Sequence, residues 1–418
     1  MTADEMAGGP GAGKRGSLPV PGAAPRPAPD WWIYRCAPEP HDGILRLPGA
    51  PPWRSFTGDG TRDDVLETPA PEPSATEHRR LGRNAQASFY QADREEIHLV
   101  NMALLLRRPL LVTGPPGVGK TTLAYSIARE LRLGPVLRWS VTSRTGLQDG
   151  QYQYDAIGRL QDVGLSRRFL QLPWELPVHP AGPDTAQAPG QDPAQDARQH
   201  PAQGPARGAR QDPAQDPAQP SAQGEPPDIG QYLRLGPLGT AFLPWRSPRV
   251  LLIDEIDKSD VDFPNDLLHI FEEGEFTIRE LARLKRSPVT VMTDDDDSWV
   301  ELRHGRVRCH EFPVVVMTSN GEREFPPAFL RRCIRLEIRQ PDKGKLGRLL
   351  AAHLPAAEGP SQAVRDELIA DFLHKQDQDA DLAGDQILNA VRLAQHVWND
   401  QEERSLIKDH LLRPLNGD

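Results

Sequence analysis

The chain has 418 residues and a formal net charge of −10, from 49 Lys and Arg against 59 Asp and Glu, a balance that argues against a general nucleic-acid-binding face. Its 43 Pro and 35 Gly are too many for the whole length to pack, so the chain is expected to hold one large or two ordinary domains plus disordered segments. Three cysteines, Cys36, Cys309 and Cys333, are odd in number and lack a Cys-x-x-Cys pair, which excludes a disulfide framework or zinc site and fits a reducing cytoplasm.

Residues 1 to 82 are rich in Pro, Gly and Ala and carry no sustained helical or strand period, so they read as mostly disordered. Met1 to Leu18 has no apolar core of the kind a signal peptide needs, and Arg107, Arg108 and Pro109 break the most apolar later stretch, so no membrane segment is expected. An aromatic island lies at about 30–56, with Trp31, Trp32 and Tyr34 followed by Trp53, Arg54 and Phe56. Trp and Arg are common interface anchors, and two roles stay open: docking on the chain's own folded domain, or recognition of another protein.

The folded region is expected from about residue 83. Ala92 to Leu105 has the apolar spacing of an amphipathic helix, and it leads into the strand Pro109 to Thr113. There follow Gly114, Pro115, Pro116, Gly117, Val118, Gly119, Lys120, Thr121 and Thr122, and then a helix from about Thr121 to Leu131. A glycine-rich turn between strand and helix, closed by Lys-Thr, is the context in which backbone N–H groups and a helix N-terminus cradle phosphates. In that cradle Lys120 reaches the β and γ oxygens of a nucleoside triphosphate, and the Thr121 hydroxyl ligates Mg²⁺.

Val136 to Val141 reads as a second strand. Gly150–Asp155 and Arg159–Asp162 suggest short irregular elements, and about 181–228, with its repeated Gln-Asp-Pro-Ala, reads as a disordered insertion. Arg249 to Asp257 is a continuous apolar strand ending in Asp254 and Glu255, at the end where open α/β sheets bind ligands. A helix Phe263–Glu273 is expected next, then a small hairpin pairing Val289–Met292 with Val307–His310 around Asp294 to Asp297. That acidic turn reads as solvated, since it lacks the Gly and distal Glu of a calcium loop. Phe312 to Asn320 is another buried strand with a polar tip, Ile334 to Ile338 a fifth, and from residue 341 to 418 the chain is expected to be helical.

In this order, the phosphate turn, the Asp254–Glu255 strand, the Asn320 strand and the Arg331–Arg332 pair resemble an AAA+ ATPase, most closely the MoxR-like group of the helix-2-insert clade found in bacterial multi-component defence or signalling systems. The resemblance covers about residues 83–400, and Gly236-Pro237-Leu238 and Glu272-Glu273-Gly274-Glu275-Phe276 strengthen it. It implies a P-loop α/β fold, a parallel five-stranded sheet between helices over 83–340, followed by a small all-α lid at 341–418. It implies ATP and Mg²⁺ as cofactors, with Asp254 on the metal and Glu255 activating the attacking water. Asn320 would position the attacking water or sense the γ-phosphate, and Arg332, with Arg331 as alternative, would be a finger acting on a neighbouring subunit.

The resemblance further implies a hexameric ring that remodels a client or adaptor protein, while cysteine usage, apolar patterning and acidic charge point to the cytoplasm and argue against a membrane or nucleic acid as partner. The rival expectation is a nucleotide-dependent switch or scaffold with little turnover, and nothing in the sequence decides between ATP and GTP. One departure stands out: where such lids carry a sensor arginine, this chain has Gly384-Asp385-Gln386-Ile387, with Arg392 further along.

Overall fold

The computed structural model describes residues 27–56, 65–70, 90–170, 228–354, 360–376, 382–397 and 401–413. The rest of the 1–82 region and the insertion expected at 181–228, apart from Asp228, lie outside the described residues. The main body opens with helix α1 (Arg94–Leu106), strand β1 (Leu110–Thr113), helix α2 (Lys120–Glu130) and strand β2 (Leu137–Ser140). A one-turn helix α3 (Leu147–Gln151) and strand β3 (Tyr152–Tyr154) follow. Helix α4 (Ala156–Leu170) thus takes in Arg159–Asp162, expected to be irregular. It belongs to a separate compact unit, Tyr154–Leu233, in which the Tyr232 hydroxyl donates to Asp162 at 2.6 Å and the Asp155 N–H to the Tyr232 carbonyl at 2.9 Å.

The chain continues with β4 (Leu233–Leu235), α5 (Pro237–Ala241), β5 (Val250–Asp254), α6 (Phe263–Glu273), β6 (Glu275–Thr277) and α7 (Arg279–Ala282). Next come β7 (Val289–Met292), β8 (Trp299–Leu302), β9 (Arg306–Arg308), β10 (Val314–Ser319), α8 (Pro327–Leu330) and β11 (Ile334–Glu337). The central sheet is five-stranded in the order β11-β1-β10-β5-β2, and every pairing in it is parallel. β5 and β10 are buried at every position, which is why Val250–Ile253 and Val314–Met317 read as unbroken apolar runs rather than alternating ones. Because β10 lies between β1 and β5, its tip falls between the phosphate turn and the Asp254–Glu255 pair.

The aromatic island docks on this body. Trp32, Ile33 and Tyr34 are buried in the same core as Val112, Leu123, Ile127 and Val316. Asn101 of α1 accepts from the Ile33 and Tyr34 N–H groups at 2.6 and 3.0 Å and donates to the Tyr34 carbonyl at 2.7 Å. Phe56 stacks on Phe312 with ring centroids 5.2 Å apart, while Trp53 stays exposed.

The hairpin expectation is corrected. β7 pairs with β8, Val289 opposite Leu302 and Val291 opposite Val300, and β9 pairs instead with β6. The alternation in Trp299-Val300-Glu301-Leu302 buries Val300 and Leu302 and competes with the similar alternation at Val307. Nor is the acidic turn simply solvated. Asp295 accepts two hydrogen bonds of 2.8 Å from the fully buried Arg249, and burial pushes Asp294 up to about 6. No cluster able to hold a metal ion forms among the described residues.

Helices α9 (Lys343–His353), α10 (Gln362–Gln376), α11 (Gly384–Val397) and α12 (Gln401–Leu411) follow the sheet. They share a core of their own, with Leu346, Leu368, Phe372, Ile387, Val391 and Leu412 buried in it. No helix among the described residues is long and apolar enough to cross a membrane.

Candidate nucleotide site

The phosphate turn hangs between the C-terminal end of β1 and the first residue of α2. Gly114 (φ 147°) has no room for a side chain, since a Cβ there would lie 2.2 Å from the Ile338 carbonyl oxygen. Gly117 (φ 76°) is as restricted, its Cβ position lying 2.2 Å from Ala383 Cβ. Both thus need glycine for space as well as for backbone angle. Pro116 and Gly117 are exposed at the crest, and Pro115, Val118, Gly119, Thr121 and Thr122 are half-buried.

Lys120 folds back under the turn. Its Nζ donates to the Gly114 and Pro115 carbonyls at 2.7 and 2.8 Å and to Asn320 Oδ1 at 2.7 Å. Burial pulls its ammonium below the usual range, and Asp257, Asp254 and Glu255 push in the opposite direction. The Asp254 carboxylate is held from three sides. Thr121 and Thr318 hydroxyls donate to Oδ1 at 3.0 and 2.7 Å, and an Arg138 Nη donates to Oδ2 at 2.6 Å. Burial alone would raise Asp254, but Thr318, Arg138 and Thr121 outweigh it and keep the carboxyl below its ordinary value.

Glu255 turns out of the strand in the left-handed region, φ 62°, and its N–H donates to Thr318 Oγ1 at 2.9 Å. Its carboxylate is half-exposed and pairs with Lys258 Nζ at 2.9 Å. Asp257, buried, accepts the N–H groups of Asn320 and Glu322 at 2.9 and 3.2 Å, which locks the tip of β10 against the turn after β5. Its other oxygen, Oδ1, is buried without a hydrogen-bond partner.

Lys120, Thr121, Asp254, Glu255 and Asn320 therefore meet at one end of β1, β10 and β5. Arg332 does not join them: it pairs with Glu272 at the end of α6 and donates to the Ala328 carbonyl at 3.2 Å. Arg331 is exposed. Beside the turn lies a pocket walled by Tyr90, Gln91, Val118 and Thr122 and by Lys345, Leu349 and Leu388 of the lid helices. Asp385 lines it too, whereas Arg392 is exposed and bonded to Gln395 at 3.2 Å on its own helix.

Sequence reasoning missed Arg138, Thr318, Asp257 and Tyr90 as site residues. Arg138 left one trace, a charge within an otherwise apolar strand segment; Asp257 and Thr318 stood inside the two strand-end stretches but carried no distinguishing spacing. Tyr90 became a wall residue only once the lid was in place.

Residues 110–162 match the model of the ATPase family associated with various cellular activities (AAA). The match spans the phosphate turn and ends before Asp254, Glu255, Asn320 and Arg332. No curated protein matches the chain. Among solved structures, it is similar to the S. cerevisiae Hsp104-ADP complex at 13% identity with a TM-score of 0.35, over 77% of this chain and 49% of that one. The chain thus spans about half the length of that neighbour.

Proposed function

We propose that the chain is a MoxR-like AAA+ ATPase that binds and hydrolyses ATP with Mg²⁺ in a ring, a hexamer by resemblance, and uses the turnover to remodel a partner protein in the cytoplasm. The observation that carries this reading is the meeting of Lys120, Thr121, Asp254, Glu255 and Asn320 at one end of three adjacent parallel strands. The donor set fits Mg²⁺–ATP: the turn has room only for glycine at Gly114 and Gly117, one ammonium faces it, and a hydroxyl and a carboxylate of depressed pKa adjoin it. Thr121 and Asp254 would hold the metal, which supplies charge neutralisation on the phosphates.

Lys120 would exchange the Gly114 and Pro115 carbonyls for phosphate oxygens while keeping Asn320. Asn320, anchored by Asp257, would hold its amide toward the γ-phosphate. Glu255 would accept the proton of the attacking water once it leaves Lys258. Arg332, with Arg331 beside it, would leave Glu272 to reach the nucleotide of the next subunit, because its fork donates to several phosphate oxygens at once. Residues 341–418 would act as the lid over the base.

A second reading, a nucleotide-dependent switch or scaffold with little turnover, is favoured by the same two ion pairs, which hold both Glu255 and Arg332 on their own chain. Equilibrium binding and steady-state hydrolysis, with ATP and GTP side by side, separate the two. The ATPase reading expects Lys120→Ala to lose nucleotide binding, and Glu255→Gln to bind ATP while turnover falls by about 100-fold or more. Wild-type protein that binds ATP without turnover, alone and in the ring, would leave the switch reading.

A further inference from the structure

Tyr90 is placed where several parts of the molecule converge on the nucleotide pocket. Its side chain lines the pocket, and its ring lies against the phosphate turn, 3.1 Å from where a Cβ on Gly119 would stand. Its hydroxyl donates to Glu96 Oε2 at 2.7 Å, and the other oxygen of that buried carboxylate accepts from Lys345 Nζ of the lid at 2.6 Å. Its carbonyl accepts a hydrogen bond from the Cys36 thiol, Sγ to O 3.2 Å, and two residues on, the Ala92 N–H donates back to the same sulfur at 3.3 Å. One side chain from the aromatic segment therefore ties down a carbonyl and an N–H at the two ends of the short Tyr90–Ala92 stretch beside the pocket.

Cys36 is itself firmly placed. Tyr34, fully buried, shares a 2.9 Å hydrogen bond between its hydroxyl and Ser126 Oγ on α2, the helix that grows out of the phosphate turn. The Arg35 and Ala37 N–H groups on either side of Cys36 donate to the two oxygens of Glu130, at the end of that same helix, at 2.6 and 2.8 Å. Burial raises the Cys36 thiol above its ordinary value, so it stays protonated and is the donor to the Tyr90 carbonyl. The sulfur packs against the core that buries Trp32, Ile33 and Tyr34 and interacts with the Tyr34 side chain, while its hydrogen bonds with the Tyr90 carbonyl and the Ala92 N–H go to the pocket wall.

We propose that the docked aromatic segment is a working wall of the nucleotide site: through Cys36 it fixes the Tyr90–Ala92 backbone, and Tyr90 so held seats the base against the phosphate turn. The proposal rests on the nucleotide-binding reading of the site. Cys36 is on this account a positioning residue and Tyr90 a binding residue. The segment spans residues on the N-terminal side of the domain it serves, so any partner that pulled it away would also loosen the nucleotide.

The test uses the full chain as wild type, Cys36→Ala and Cys36→Ser, titrated with N-methylanthraniloyl-ADP and melted without nucleotide. Serine keeps a donor and an acceptor on the same carbon, and alanine keeps neither. The proposal expects Cys36→Ala to bind about threefold to tenfold more weakly, as the loss of modest buried hydrogen bonds would give, with its melting midpoint within about 2 °C of wild type. Cys36→Ser should recover most of the affinity, and amide exchange at Ala92 should be faster in Cys36→Ala alone. Wild-type affinity in Cys36→Ala would overturn the proposal and leave the nucleotide reading intact. A loss of affinity that tracks a falling melting midpoint in both variants would also overturn it, because the sulfur would then serve only the fold. If the wild type itself fails to bind the probe, the nucleotide reading fails and the wall falls with it.

Discussion

Asp254, buried, and Asp294, half-buried, are two carboxylates with opposite fates. Asp254 is met by two hydroxyls and a guanidinium within 3.0 Å, and its carboxyl is held below the ordinary range. Asp294 has Arg234 no nearer than 3.9 Å and Arg249 as a weaker counter-charge, so burial prevails, with Asp295 and Asp296 adding repulsion, and it is pushed up to about 6. A folded value above the unfolded one of 3.8 means that the protonated form suits the fold. The stability it brings is full below the unfolded value and is lost as pH rises through about 6. Asp294→Asn, permanently neutral, should therefore be more stable than wild type at pH 7.5 by roughly 1–3 kcal/mol, with the gap closing near pH 4. Paired denaturant titrations at the two pH values check this, and a gap that is absent at pH 7.5 or that grows on acidification would contradict it. The run Asp294–Asp297 disguised this in the sequence. Adjacent acids suggest a solvated turn, but its partners Arg234, Thr240 and Arg249 stand 45 positions or more away in the chain.

At the scale of elements, the parallel strands were legible because burial on both faces demands continuous apolar runs, and Val250–Ile253 and Val314–Met317 have them. Pairing of the short antiparallel strands was not legible, because two equally alternating segments competed for β7 and only the tertiary context excludes one. Arg138 was hidden for a related reason: β2 pairs with β5 so that Ser140 stands beside Asp254, and only a side chain as long as arginine reaches the carboxylate from two residues earlier. The contact between the phosphate turn and the lid was equally invisible, since the Gly384 N–H that opens α11 donates to the Gly117 carbonyl at 3.2 Å across most of the chain. That contact yields a prediction. Gly117→Ala must push Ala383 and the start of α11 aside, whereas Gly321→Ala, with φ 80° and nothing within 4 Å, carries only backbone strain. The first should lose nucleotide affinity by about tenfold or more, and the second should cost about 1 kcal/mol of stability with binding unchanged. Fluorescent-nucleotide titration and thermal melts distinguish them, and equal behaviour of the two would refute the packing argument.

At the scale of the whole molecule, the proposed function asks for an arginine finger that the chain's own geometry does not bring to the site. Arg332 is held by Glu272 on the same chain, and the residues that gather around Lys120 include Asp254, Glu255, Asn320 and Arg138 but not Arg332. A site completed by a neighbour explains this placement, and a head-to-tail contact that closes on itself makes a ring. The proposed reading separates two ways of losing turnover. On that reading Glu255→Gln would spoil the site a subunit carries and leave its finger intact, whereas Arg332→Ala would spoil the finger it lends and leave its own site intact. The most direct measurement is therefore ATP hydrolysis by a one-to-one mixture of Glu255→Gln and Arg332→Ala subunits, each inactive by itself. A finger acting in trans predicts that the mixture regains turnover, because some Arg332→Ala subunits then sit beside an intact Arg332. A mixture that co-assembles and binds ATP yet stays as inactive as its components would contradict a shared site.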